Sequence, residues 1–218
     1  MNKTDKQLKQ DIETELGWDP KVNAAQIGVS VDNGAVSLLG TVDTYVQKWA
    51  AEDATKRVSG VRTVAQDLTV KLIGDHKRND SDIASATQSA LTWNVSVPKS
   101  VTAQVQHGIV TLEGQVTWNF EREAAERAIR YLTGVVAVYN NIAITPQATA
   151  SQVKEKVEAA LHRQATSDAN SIHIDTSGGK VILTGHASSF RSIEDAAGAA
   201  WASPGVTEVV DRMTMSAF

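Results

Sequence analysis

The stretch HGIVTLEG, His107 to Gly114, is followed at once by QVTWNFEREAAERA. It reads as a short strand closed by glycine, then a helix that opens with two aromatics and two arginines. Three meanings are open: a phosphate-binding loop, a hairpin that packs a core, or one copy of something repeated. Glycine spacing chooses among them. Gly108 and Gly114 are six apart, and Gly134 lies twenty further on. Gly34, Gly40 and Gly60 repeat the six and the twenty, as do Gly179, Gly185 and Gly205. Between the first two glycines stand AVSLL, IVTLE and KVILT, and Val61, Val135 and Val206 follow the third. A repeat at fixed period governs the reading of the whole fold. The chain is three homologous units of about 70 residues each.

Each unit opens with apolar residues four apart: Leu8, Ile12, Leu16; Ile83, Thr87, Leu91; Val153, Val157, Leu161. Such residues share one face of a first helix. Asp5, Asp80 or Ser81, and Ser151 stand near its starts, where a side-chain oxygen can cap free N–H groups. Alternation follows, the mark of a half-buried strand: Ile27, Val29, Val31; Val101, Ala103, Val105; Ile172, Ile174, Thr176. DNG, QHG and SGG supply tight turns. The second strand then carries Val36 and Leu38, Val110 and Leu112, Val181 and Leu183. A second helix fills the longer gap between glycines, with a small inward stripe: Ala51, Ala54, Val58; Ala125, Ala128, Leu132; Ala196, Ala199, Ser203. Gly60, Gly134 and the pair Pro204-Gly205 are expected as its C-terminal caps. The third strand carries Val64, Leu68, Val70; Val138, Ile142, Ile144; Val209, Met213, Met215.

The expected fold class is therefore α+β: three tandem αββαβ sandwiches, each with two helices on one face of a three-stranded mixed sheet. The first two strands form an antiparallel hairpin, and the third runs parallel after a right-handed crossover. The expected domains are 1–75, 76–148 and 149–218, with polar links near Gly74–Asn79 (GDHKRN) and Pro146–Ala150 (PQATA).

Composition removes several function classes. There is no Cys, so disulfides, thiolate catalysis and Cys-ligated metals are excluded. A net charge of −4 is not that of a general nucleic-acid binder. By unit, nine Lys+Arg against eleven Asp+Glu, six against six, and six against eight give −2, 0 and −2. The middle unit is the least acidic. No stretch is apolar enough to span a membrane, and MNKTDKQLKQDIETEL lacks the apolar core of a signal peptide. Read from Met1, the chain is expected in the cytoplasm, or in the periplasm if a leader has been removed.

The pieces GAVSLLGTV, GIVTLEGQV and GKVILTGHA, each followed by VSGVRTV, LTGVVAV or ASPGVTEV, resemble the BON domain, the "bacterial OsmY and nodulation" module. The resemblance covers nearly the whole chain, three times. The third copy departs at SSFRSIEDAAGAAW, which is poorer in aromatics and charge than TWNFEREAAERA. The resemblance implies a binding module of bacterial type and not an enzyme. It also implies an association with phospholipid membranes, with osmotic and general stress, and with holding envelope proteins in shape.

Candidate sites follow from what the repeat does not demand. The P-loop pattern needs Lys after its second glycine, and Gly114 is followed by Gln115 and Val116. His76, His107, His162, His173 and His186 occupy non-equivalent positions and form no ligand motif, so no metal and no cofactor is expected. Glu121 and Glu123 sit in a first helical turn, where carboxylates favour the macrodipole, and no catalytic residue is expected. Trp18 and Trp93 recur at one place and are expected to pack. Trp118 and Phe120 do not recur: their equivalents are Thr44 and Val46, then Ser189 and Arg191. With Arg122 and Arg127 they form the candidate binding site. Aromatics beside arginines suit a lipid headgroup boundary, a protein interface or packing between units. The expected function is a stress-related, non-catalytic binding protein whose middle unit meets an anionic phospholipid surface. The alternatives are a protein-interaction or self-association scaffold and a small-ligand or cation sensor. No nucleic-acid partner is expected.

Overall fold

The computed structural model describes residues 3–145, 150–163, 171–187, 189–203 and 205–215. Unit one is α1 (Asp5–Trp18), β1 (Ile27–Asp32), β2 (Ala35–Val42), α2 (Tyr45–Arg57) and β3 (Thr63–Val70). Unit two is α3 (Asp80–Trp93), β4 (Thr102–Gln106), β5 (Ile109–Glu113) with β6 (Gln115–Val116), α4 (Asn119–Arg130), and β7 (Ala137–Asn140) with β8 (Ala143–Ile144). Unit three is α5 (Ala150–Arg163), β9 (Ile172–Ser177), β10 (Lys180–Ala187), α6 (Phe190–Trp201) and β11 (Glu208–Met215). In each sheet the second strand is central, antiparallel to the first and parallel to the third. This is the α+β fold expected from the alternation and the helical periods.

Each unit has its own core. In unit one Leu8, Ile12 and Leu16 of α1 meet Val36 and Leu38 of the sheet and Ala51 and Ala54 of α2. Ile83 and Leu91 with Val110 and Leu112, and Val153 and Val157 with Val181 and Leu183, repeat the arrangement. Fully burying one such side chain stabilises by roughly 1.5–3 kcal/mol. Alanine on the second helix lets it lie close on the sheet. The other sheet face stays open, and Leu39 and Tyr139 on it are exposed.

The glycine spacing has a cause in two backbone crossings. Gly114 has φ +133°, and a Cβ there would collide with the Ser100 carbonyl oxygen. Gly40 and Gly185 meet the Gln26 and Ser171 carbonyls in the same way. A Cβ on Gly108 would lie 2.8 Å from the Gly134 carbonyl oxygen, so the hairpin turn and the turn after the second helix touch. Gly134 itself is not a helix cap, contrary to the sequence expectation. Helix α4 ends at Arg130 with Tyr131 as C-cap, and Gly134 takes its φ of +95° in the turn beyond. Likewise α2 ends at Arg57 with Val58 as C-cap, and Gly60 comes two residues after the cap. Pro204 lies outside the described residues.

Two other expectations are corrected. Asp5 and Asp80 do not cap their helices. Thr4 and Asn79 do, accepting from Gln7 N (3.3 Å) and Asp82 N (2.8 Å). The displaced carboxylates serve the hairpins instead. Asn33 and Gly34 N–H groups donate to Asp5 (2.9 and 3.3 Å), and those of His107 and Gly108 to Asp80 (2.7 and 2.8 Å). Ser151 lies outside the described side chains. Trp18 and Trp93 do not pack: they are 81% and 85% exposed. Each stands two residues after the last buried leucine, Leu16 or Leu91, about 200° round the helix.

Candidate functional site

Helix α4 carries all the expected site residues except Trp118, which precedes its first turn, and it divides them between two of its three faces. Ala125 and Ile129 enter the core of unit two. About 60–100° further round lie Arg122, Glu126 and Arg130, facing the other units. Phe120, Glu123, Arg127 and the C-cap Tyr131 form the outward stripe, with Phe120 53% and Tyr131 60% exposed. The four expected residues therefore do not act as one cluster. Arg122 turns inward to unit three, and its guanidinium lies 4.7 Å from the centre of the Trp201 ring. Burial lowers its pKa from the ordinary value. Phe120 and Arg127 share the outward stripe, and Trp118 is half-buried at the start of the helix.

Trp118 occupies an N-cap position that Thr44 and Ser189 fill in units one and three, where their hydroxyls accept from Gln47 N and Ser192 N. Indole offers no such acceptor. Glu121 covers the helix start instead, its carboxylate accepting from the Thr117 and Trp118 N–H groups at 2.9 and 3.0 Å.

The second helices also join the units, and they do so in a ring. Counting from Gly40, Gly114 and Gly185, the ninth residue is Trp49, Glu123 or Glu194, and the sixteenth is Lys56, Arg130 or Trp201. Trp49 of unit one lies under the guanidinium of Arg130 in unit two, 4.1 Å from ring centre to carbon. Glu194 of unit three stands 4.0 Å from Lys56 of unit one. Glu123 of unit two and Trp201 of unit three line one cleft. Each ninth residue thus faces the sixteenth of the next unit, a heterologous contact that closes on itself. Tyr45 reinforces the first junction. It packs on the core of unit two, and burial first, then Glu126, raises its pKa.

The cleft at the second junction is open to solvent, with a volume of about 420 Å³. Its walls include Trp118, Asn119, Phe120, Glu123 and Trp201. Asn119 is 4% exposed, its Nδ2 donates to Glu123 Oε1 at 2.7 Å, and its Oδ1 has no partner. Sequence reasoning missed Tyr45, Trp49 and Trp201. The signal was present, because Trp49 and Trp201, like Trp118, are aromatics that the other units do not repeat.

Among the described residues no cluster of three His, Asp or Glu side chains could hold a metal ion, and no helix is long and apolar enough to cross a membrane. The fold and the joined second helices define a tandem array of small α+β modules. The chain belongs to the BON domain family, whose model matches residues 4–71, 79–146 and 149–217. It is similar to the osmotically-inducible protein Y of Escherichia coli K12, 24% identical over 143 residues that span 63% of this chain and 71% of that protein. Two solved structures of CdsD, a structural protein of the type III secretion system of Chlamydia trachomatis, are each 16% identical. The first covers 96% of this chain and 92% of its own at a TM-score of 0.27. The second, its C-terminal domain, covers 95% and 96% at 0.28. At those TM-scores the likeness carries no argument.

Proposed function

We propose that the chain is a stress-related binding protein, without catalysis of its own, that lays the outward stripe of its middle unit on a phospholipid surface. The observation that supports this reading is a concentration of exposed apolar side chains. Trp93, Val95, Phe120, Tyr131 and Tyr139 of unit two make five of the eight large hydrophobics exposed among the described residues. Phe120, Arg127 and Tyr131 follow one line along α4, so rings can enter the headgroup boundary while a guanidinium meets phosphate. Arg122, engaged with Trp201, takes no part. The stress link rests on the osmotic induction named for the relative in Escherichia coli. Co-sedimentation with neutral and anionic vesicles tests the contact. The wild type should bind and Phe120→Ser/Tyr131→Ser should not, while both keep the same melting temperature. No binding to either vesicle at low salt overturns it.

A second reading is self-association or docking on a protein partner through the same stripe. Glu123 interleaved with Arg127, and a middle unit of zero net charge, favour a mixed-charge partner over an anionic one. Concentration-dependent light scattering that the same double substitution abolishes would support it.

A further inference from the structure

The three junctions of the ring are built at equivalent positions but from different chemistry. At the first, a cation (Arg130) covers an aromatic ring (Trp49). At the third, a cation (Lys56) faces a carboxylate (Glu194). At the second, the two positions hold a carboxylate (Glu123) and an aromatic ring (Trp201). Neither is a cation, and the two line a cleft. We propose that this cleft binds an organic cation bearing an N-methylated ammonium group, which enters between the Glu123 carboxylate and the aromatic rings, beside the Arg122 guanidinium that the chain itself lays on Trp201.

The walls fit that ligand class in three ways. Trp118, Phe120 and Trp201 present aromatic surface, which attracts a cation through the ring quadrupole and suits an ammonium whose charge is spread over methyl groups. Glu123 in the same wall supplies a carboxylate, which also interacts with the Arg122 guanidinium, and Asn119 beside it has an unpaired, buried oxygen. That oxygen is too deep to accept from a ligand N–H, which favours a cation needing no hydrogen bond over a primary ammonium. Arg122 also touches Trp201 but is not part of the cleft wall, so it leaves the aromatic surface facing the cleft available. The positive end of α4 is offset by the Glu121 carboxylate in its first turn, which accepts from the Thr117 and Trp118 amides that precede the helix. Trp118 gains a purpose too: it stands where the fold would prefer a capping hydroxyl, and it forms a wall of the cleft. The inference does not rest on membrane contact, and its ligand could be a free cation or a choline headgroup.

The test uses the full chain, choline, and 3,3-dimethylbutan-1-ol, the uncharged isostere of choline. Choline should raise the melting temperature saturably, as a ligand of the folded state must, and the neutral isostere should not. Trp118→Thr gives α4 the hydroxyl cap of its sister helices, so the fold is kept while choline affinity falls about tenfold. Glu123→Gln keeps an acceptor for Asn119 and removes the charge, with a loss of similar size. Equal effects of choline and its isostere, no saturation, or unchanged affinity in both variants would overturn the proposal. Phosphatidylcholine vesicles separate the two sources. Vesicle binding that free choline displaces identifies a headgroup, and choline binding without vesicle binding identifies a free cation. A failure of the outward stripe alone is read from Arg127→Ser/Tyr131→Ser, whose positions lie outside the cleft wall, so that Trp118, Phe120, Glu123 and Trp201 all remain to give a choline response.

Discussion

The Arg130–Trp49 junction can be measured by a double-mutant cycle, and the structure says why a single substitution would mislead. Arg130 is 9% exposed, its Nη2 donates to Glu126 Oε1 at 3.0 Å, and its Nε has no partner. A cation over an indole in so dry a place contributes about 2 kcal/mol. A buried N–H without an acceptor costs about 1–3 kcal/mol. Arg130→Met keeps the apolar stem and removes both terms, so its net effect should lie within about 1 kcal/mol of zero. Glu126 would keep its bond from Asn140 Nδ2 (3.3 Å). Trp49→Leu removes the ring and leaves the guanidinium in place. The coupling energy from wild type, both singles and the double should be about 1–2 kcal/mol, measured by urea unfolding followed by circular dichroism. A coupling within about 0.3 kcal/mol of zero would mean that the pair does not hold units one and two together.

Two further outcomes follow from the backbone. Gly114→Ala places a Cβ against the Ser100 carbonyl at φ +133° and should cost at least about 2 kcal/mol in urea. Gly74→Ala, with φ +52° and nothing within 4 Å, should cost only about 1 kcal/mol. The Asp80 pKa is lowered, chiefly by the Gly108 amide and then by that of His107. A carboxyl whose folded value lies below its unfolded one stabilises the fold above the unfolded value, near pH 4, and loses that contribution as pH falls through the folded value. Melting temperatures of Asp80→Asn should therefore fall less than those of the wild type between pH 5 and pH 2. An identical acid limb would refute the role of the hairpin bonds.

The parts of the structure legible in the sequence were those fixed within one unit. Alternation at Val36–Leu38 and a four-residue period at Leu8–Ile12–Leu16 report directly which face is buried, because burial acts on every copy alike. Recurrence points to packing for Trp18 and Trp93, and both are exposed. The period that placed Leu16 and Leu91 inside also places the tryptophans outside, and that local signal was the better guide. Asp5 and Asp80 were misread for a different reason. Their hydrogen bonds go to turns 27 or more residues away, and such a bond leaves no periodic trace. The division of α4 among core, junction and solvent was half legible. Helical angle separates Arg122 from Phe120 and Arg127, but only the assembled ring shows that the angle of Arg122 points at Trp201.

Homologous units that merely followed one another would have no reason to differ at equivalent surface positions in a coordinated way. Here the ninth position is Trp, Glu and Glu and the sixteenth Lys, Arg and Trp, and at two junctions, Trp49 with Arg130 and Glu194 with Lys56, each residue suits the one it faces. Their strengths cannot be equal. The Glu194–Lys56 pair, at 4.0 Å and partly exposed on both sides, contributes no more than about 1 kcal/mol. The drier Arg130–Trp49 contact contributes more. Unit three meets unit two through Trp201, which packs on the unit-two core and carries the Arg122 guanidinium beside the cleft. Of the two junctions of unit three, one is a partly exposed ion pair and the other borders the cleft. A cation entering between Glu123 and Trp201 would act on that unit first, by joining two surfaces that the chain alone brings near without filling the space between them.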